Sequence, residues 1–150
     1  MRQIAFSELN YINEGIQLIK NKILNSVSTK HMTYHQLNNS LTHHSIYSSC
    51  DTSIKEYERI SFSKFRLSAH KLKIETGRWA RPIIPRIQRL CNCGIPGSIQ
   101  DEIHVLTDCL YTAHIRNTYP NVNFSNLFNN NDNNIICSIS HKIMKIFENA

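Results

Sequence analysis

Between residues 91 and 109 stand three cysteines and a histidine: Cys91-x-Cys93, ten residues, His104, four residues, Cys109. No other feature constrains folding so tightly. Three thiolates and an imidazole complete a tetrahedral set for structural zinc, and they reach one ion only if the chain between them curls around it. The order predicts a turn carrying the first pair and a helix carrying the second. Gly94 relieves strain in that turn, and nearby Arg89 favours the thiolate forms. A single residue separates the first two cysteines, where structural zinc pairs usually have about two to four. The other reading of the same residues is three small buried cysteines and a histidine near a helix start.

The cysteine count bears on the choice. Five is odd, and Cys50 and Cys137 lie outside the cluster, whereas a disulfide framework in a short secreted chain has an even number. The N-terminus turns polar before a signal-peptide core forms, and no apolar run approaches the roughly 20 residues of a membrane span. The expectation is an intracellular protein, of nucleus or cytoplasm, with no membrane partner and thiols held reduced or by metal.

Charge supplies the second constraint. Lys and Arg total 17 against 11 acids, yet nine of those bases and only one acid, Glu75, fall between Arg59 and Arg89. That stretch carries a local charge of +8, and the rest of the chain carries −2. So concentrated a field suits a polyanionic partner, RNA or DNA gripped through its backbone; a solvated basic face is the alternative. The candidate contacts are Lys64, Arg66, Lys71, Lys73, Arg78, Arg81, Arg86 and Arg89. His70 and Trp79 are interleaved rings able to stack on unpaired bases. Phe65 reads as core, while Trp79, near two arginines, fits either role.

Hydrophobic spacing predicts a mainly α fold: several amphipathic helices with a small zinc-knuckle-like turn-helix module. Leu9, Ile12, Ile16, Ile19 and Ile23 mark a helix over about 7–26, with Ser7 as N-cap. Residues 29–53 are polar and aperiodic. Phe62, Phe65, Ala69 and Leu72 mark a helix over 54–74 that Gly77 would end in a left-handed conformation. The segment from Arg81 to Arg86, with Pro82 and Pro85, reads as an extended basic arm. Asp101 would open a helix running to about Arg116, and Ile136, Ile139, Ile143 and Ile146 mark a last helix over 135–147. Asn129 to Asn134 reads as a flexible linker. The division is thus 1–53, an N-terminal helix and connector; 54–119, the basic helix, arm and knuckle; and 120–150, linker and terminal helix. With a 41% hydrophobic share the core is modest.

Other constellations are weaker. Cys137 and His141 are spaced i, i+4 but lack a second pair, and read as a half-buried thiol and an exposed imidazole. His43, His44 and Cys50 lie in the polar segment and suggest no site. Asp101-Glu102 is the only adjacent acidic pair, read as helix capping and dipole compensation. No phosphate loop, nucleophile elbow or carboxylate cluster for two-metal phosphoryl transfer occurs, and no small-molecule substrate suggests itself.

Taken together, Arg66, Ser68, His70, the Ile74-Glu75-x-Gly77-Arg78 block, Arg89 before Cys91 and Cys93, Asp101-Glu102, His104, and Cys109 followed by Tyr111 resemble the C-terminal region of non-LTR (LINE-type) retrotransposon reverse transcriptases. The likeness covers about 59–119. It implies a zinc-knuckle-like region beyond the polymerase thumb that grips template RNA or target DNA. Cys91, Cys93, His104 and Cys109 would then be the metal ligands, with Arg66, His70, Arg78 and Arg89 facing nucleic acid or bracing the knuckle. Many members have two residues between the first cysteines; this sequence has one. The family's palm with paired aspartates is absent, so the resemblance implies a fragment of an RNA-directed DNA polymerase that is non-catalytic alone. The competing expectation is a structural or protein-interaction remnant whose metal site only holds the fold.

Overall fold

A computed structural model describes residues 6–25, 36, 44–47 and 51–148. The chain is mainly helical, with no strand among these residues. It forms two units, 1–42 and 43–150. In the first, helix α1 spans Phe6–Leu24, starting two residues earlier than a Ser7 cap would give. Most of the polar segment 29–53, including His43 and Cys50, lies outside the described residues.

The second unit contains α2 (Glu56–Arg66), α3 (Lys73–Trp79), α4 (Glu102–Thr107), α5 (Ala113–Thr118) and α6 (Asn133–Glu148). Its core is the packing of α2 against α6. Phe62 and Phe65 are wholly buried, as are Ile136, Cys137 and Ile139 from α6. Phe128 meets both phenylalanine rings, at 5.5 and 5.9 Å between centroids. Ser61 and His141 tie the two helices through a 2.9 Å hydrogen bond between Oγ and Nδ1. The sequence-based segments 54–119 and 120–150 therefore share one core, and the boundary falls at 42/43 instead of 53/54.

The single helix expected over 54–74 is broken. Its apolar spacing continues past Arg66, but Ser68 turns left-handed at φ 54°. Ala69 N–H then reaches back to the Lys64 carbonyl at 2.7 Å, and Ser68 N–H to that of Phe65. This closes α2 with the paired bonds of a Schellman cap, in which glycine usually takes the left-handed position. Ser68 takes it here because its hydroxyl donates to Glu102 at 2.5 Å. Ala69 consequently faces solvent.

The Asn-rich stretch is built from turns and caps. Asn123 accepts from the Ser125 amide and Asn130 from that of Asp132. Asp132 then caps α6 by accepting from Ile135 N–H at 3.1 Å. Short amide and carboxylate side chains satisfy nearby backbone donors, so a run that reads as a linker fixes the entry to α6.

Candidate metal centre

Cys91 and Cys93 stand in a loop closed by a bridge between Leu90 and Ile99, with Cys91 N–H donating to the Ser98 carbonyl at 2.7 Å. Gly94, at φ 96°, turns the chain directly after Cys93, where a side chain would be strained. His104 lies in the first turn of α4, whose N-cap Asp101 accepts from the His104 amide at 2.9 Å. Cys109 follows the end of α4, its amide donating to the His104 carbonyl at 2.8 Å. The helix expected from Asp101 to Arg116 is thus interrupted at Cys109 itself. Cys109 leaves the helical path, and α5 begins only at Ala113.

All four side chains are buried, and their ligand atoms lie within 4.8 Å of one another. Cys91 Sγ is 3.7 Å from Cys109 Sγ, and Cys93 Sγ is 3.4 Å from His104 Nε2. Bonds of about 2.3 Å to sulfur imply tetrahedral edges of about 3.8 Å, and edges to nitrogen slightly shorter. The donor set therefore fits one metal ion, and this buried Cys3His cluster could hold it. The Cys-x-Cys bite closes because Gly94 lets the loop double back.

Electrostatics at the cluster favour a cation. Burial pushes the Cys109 thiol up to about 12, against the Tyr111 amide and with the help of neighbouring Cys91 and Cys93. Burial acts the same way on Cys93, but the amides of Leu110 and Ile95 and hydrogen bonds from His104 and Cys91 outweigh it and bring that thiol down to about 6. Sulfurs held this close repel once ionised, and a bound cation removes the conflict.

The surrounding residues that hold this geometry were only partly visible in the sequence. Gln100 was missed. Its amide donates to Cys91 Sγ at 3.7 Å, its side-chain oxygen accepts from Lys73 N–H at 2.9 Å, and its carbonyl accepts from Ile74 N–H. One residue thus joins the cluster to the start of α3, where Leu72 offers no side-chain cap. Arg116 was also missed; it donates to the Cys109 carbonyl at 2.8 Å and to Thr112 at 2.7 Å.

Three of the ten candidate nucleic-acid contacts face inward. Arg89 is 8% exposed and donates to the carbonyls of Ile84 and Ile74, at 2.9 and 2.8 Å. Its guanidinium braces α3 against the arm; desolvation on burial, with Arg78 nearby, holds its pKa below the usual value. The buried Arg66 lies over the Tyr47 ring. His70 accepts from Leu72 N–H at Nδ1, which leaves Nε2–H to donate to Glu102 at 2.8 Å. Glu102 is therefore no surface dipole partner; only Asp101 of that acidic pair caps and stays near solvent, 3.2 Å from Arg86. Burial explains all three: a charged or polar group taken from water must be paired inside.

The other candidates lie nearer solvent. Lys64, Lys71, Arg81 and Arg86 are exposed, and Lys73 and Arg78 half-buried. Trp79 is 69% exposed, which excludes it from the core. Arg78 pairs with Glu75 at 3.3 Å. The expected arm persists as an exposed segment ending in a short turn at Arg86–Gln88. Cys137 is fully buried, tighter than expected, and shares no ligand set with His141. His44 hydrogen-bonds the Phe128 carbonyl at 2.8 Å.

Gly77 does not end α3; it lies inside it. A Cβ built there would meet Arg89 Cδ and Nε at 2.8 Å, so the missing side chain is the space through which Arg89 passes. Gly77→Ala is expected to displace that guanidinium from both carbonyls and cost roughly 2 kcal/mol by overpacking, measured by urea denaturation. A neutral or stabilising result would show that Arg89 repacks freely.

No protein-family model matches this chain significantly, nor does any curated protein or solved structure.

Proposed function

We propose that this chain is a zinc-stabilised, non-catalytic nucleic-acid-binding module, of the kind found at the C-terminal end of LINE-type reverse transcriptases. The observation that carries the reading is the buried Cys3His cluster at the end of an exposed basic segment. Zinc is the metal of choice because three thiolates and one imidazole in tetrahedral array suit a structural Zn²⁺ with no open position for a reactive water. The positions that carry the resemblance also interlock: Ser68 and His70 bond Glu102, and Gly77 makes room for Arg89. A motif whose members hold one another in place is consistent with a module that keeps its pattern for structural reasons. The exposed Lys64, Lys71, Arg81 and Arg86, with Trp79, are the side chains offered to phosphates and unpaired bases.

Binding to single-stranded RNA or DNA is expected to fall steeply with salt and to show weak sequence preference, because no element among the described residues presents side chains suited to a major groove. Reversing Lys64 and Arg81 to Glu together should weaken binding by at least tenfold and flatten the salt slope by about two units. Reversing Lys142 and Lys145, which are engaged with Tyr119 and Glu148, should change it little. Fluorescence anisotropy across a salt series measures both. Equal binding by the two double variants would favour a structural or protein-interaction remnant whose metal site only holds the fold.

A further inference from the structure

Beside the cluster, between α3 and the last turns of α6, lies a cleft of about 530 Å³ whose lining includes Lys71, Lys73, Asn92, Gln100, Tyr111 and Phe147. That volume lies in the range that admits a nucleotide-sized ligand. The wall residues divide by chemistry. Lys71 is exposed. Lys73 Nζ donates to the Leu90 carbonyl at 2.7 Å and to Asn92 Oδ1 at 2.9 Å, and an ammonium carries a third N–H beyond these two. Opposite in character, Tyr111 is 44% exposed and meets Phe147 edge-on at 6.4 Å. Its hydroxyl donates to the Asn92 carbonyl at 2.7 Å, which fixes the ring instead of leaving it to rotate.

We infer that this cleft binds one unpaired nucleotide of a single strand, with its phosphate on Lys71 and Lys73 and its base on the Tyr111 ring. The inference rests on the nucleic-acid reading and deepens it by naming the subsite. Two cations within one wall neutralise a phosphate, and an immobilised aromatic accepts any base through its π-face. Duplex bases are already stacked and do not present that face, so the cleft selects single strands. Asn92 and Gln100 complete the amide lining. The cleft is also tied to the metal: Asn92 stands between two ligands, and Gln100 donates to Cys91 Sγ. Loss of the ion would release the loop that positions both Lys73 and Tyr111.

A base with its phosphate is offered either by a strand or by a free mononucleotide, and the experiment separates the two. Affinities of metal-loaded protein would be measured for a single-stranded oligonucleotide, the same sequence as duplex, and adenosine monophosphate. The variants are Tyr111→Ala, Tyr111→Phe, Lys71→Glu and the Lys64, Arg81 double reversal, each first checked for its metal content and melting temperature. Tyr111→Ala should weaken single-strand binding about tenfold or more and leave duplex binding unchanged, while Tyr111→Phe retains the stacking ring and most of the affinity. Lys71→Glu, on the exposed rim, should flatten the single-strand salt slope by about one unit. A 4-thiouridine strand should crosslink to Tyr111 or Phe147. Full single-strand affinity in both Tyr111→Ala and Lys71→Glu, alongside a loss in the Lys64, Arg81 double variant, would overturn the cleft and leave the broader reading standing. No strand binding by any form would overturn both. Monophosphate binding as tight as the strand's would assign the cleft to a free ligand and overturn the strand.

Discussion

Stripping the metal from zinc-loaded protein is expected to lower its melting temperature by roughly 15 °C or more. Structural zinc sites contribute apparent binding energies of about 10–16 kcal/mol, comparable with the whole net stability of a domain. The four candidate ligands belong to the loop before α4, to α4 itself and to the chain beyond it, so an ion bound by all four would tie these segments together. Packing of Phe62 and Phe65 against α6 involves none of the ligands, and helical signal from α2 and α6 should outlast the loop around Cys91. Cys109→Ser should reproduce chelation, whereas Cys50→Ser should keep one equivalent of zinc. Elemental analysis and thermal melts with and without chelator measure this. Unchanged melting of metal-free protein would leave the cluster as packed thiols.

Glu102→Ala is expected to cost about 3 kcal/mol or more with metal bound. The carboxylate is 1% exposed and takes hydrogen bonds from Ser68 and His70 at one oxygen. Truncating it orphans two buried donors and removes the reason for the left-handed turn at Ser68, and breaking such a buried network typically costs about 3–5 kcal/mol. Burial acts to raise the Glu102 pKa, yet the His70 and Ser68 bonds outweigh it and the carboxyl titrates below its usual 4.5. On acidification the unfolded chain therefore takes up this proton before the native one does. The contribution is whole above pH about 4.5 and is lost as pH falls through the lowered native value. Denaturant melts of wild type and variant, at pH 7 and in acid, should converge as this proton binds. A loss below about 1 kcal/mol at pH 7 would show that water replaces the network. Glu75→Ala, at the half-buried pair with Arg78, should cost less.

The sequence by itself determined the helical class and the composition of the candidate metal-binding cluster. Amphipathic spacing marked α6 because a helix that buries one face must repeat its apolar residues near the helical period; the same period marked α1, although Ile16 and Ile19 there are exposed. Cys91, Cys93, His104 and Cys109 were legible because ligand chemistry restricts residue type as strictly as position. Caps were legible where they act locally, as at Asp101. Tertiary structure decided what depended on distant partners. The spacing through Leu72 favoured one continuous helix, and it is Glu102, 34 positions beyond Ser68 in the chain, that stabilises the break. Gly77 signalled a helix end by its own conformational freedom, but Arg89 needed the space that a glycine leaves. Charge counted Arg66 and Arg89 with the surface cations, and His70 was read as a stacking ring, because neither a count of charges nor the spacing of rings holds information about burial. Gln100 carries no motif at all, and Tyr111 figures only as the aromatic after Cys109; their bonds to the Cys91 sulfur and to the Asn92 carbonyl arise only from the fold. Local periodicity and ligand chemistry are written in short stretches of chain, whereas burial is a property of residues far apart in sequence that compete for the same interior.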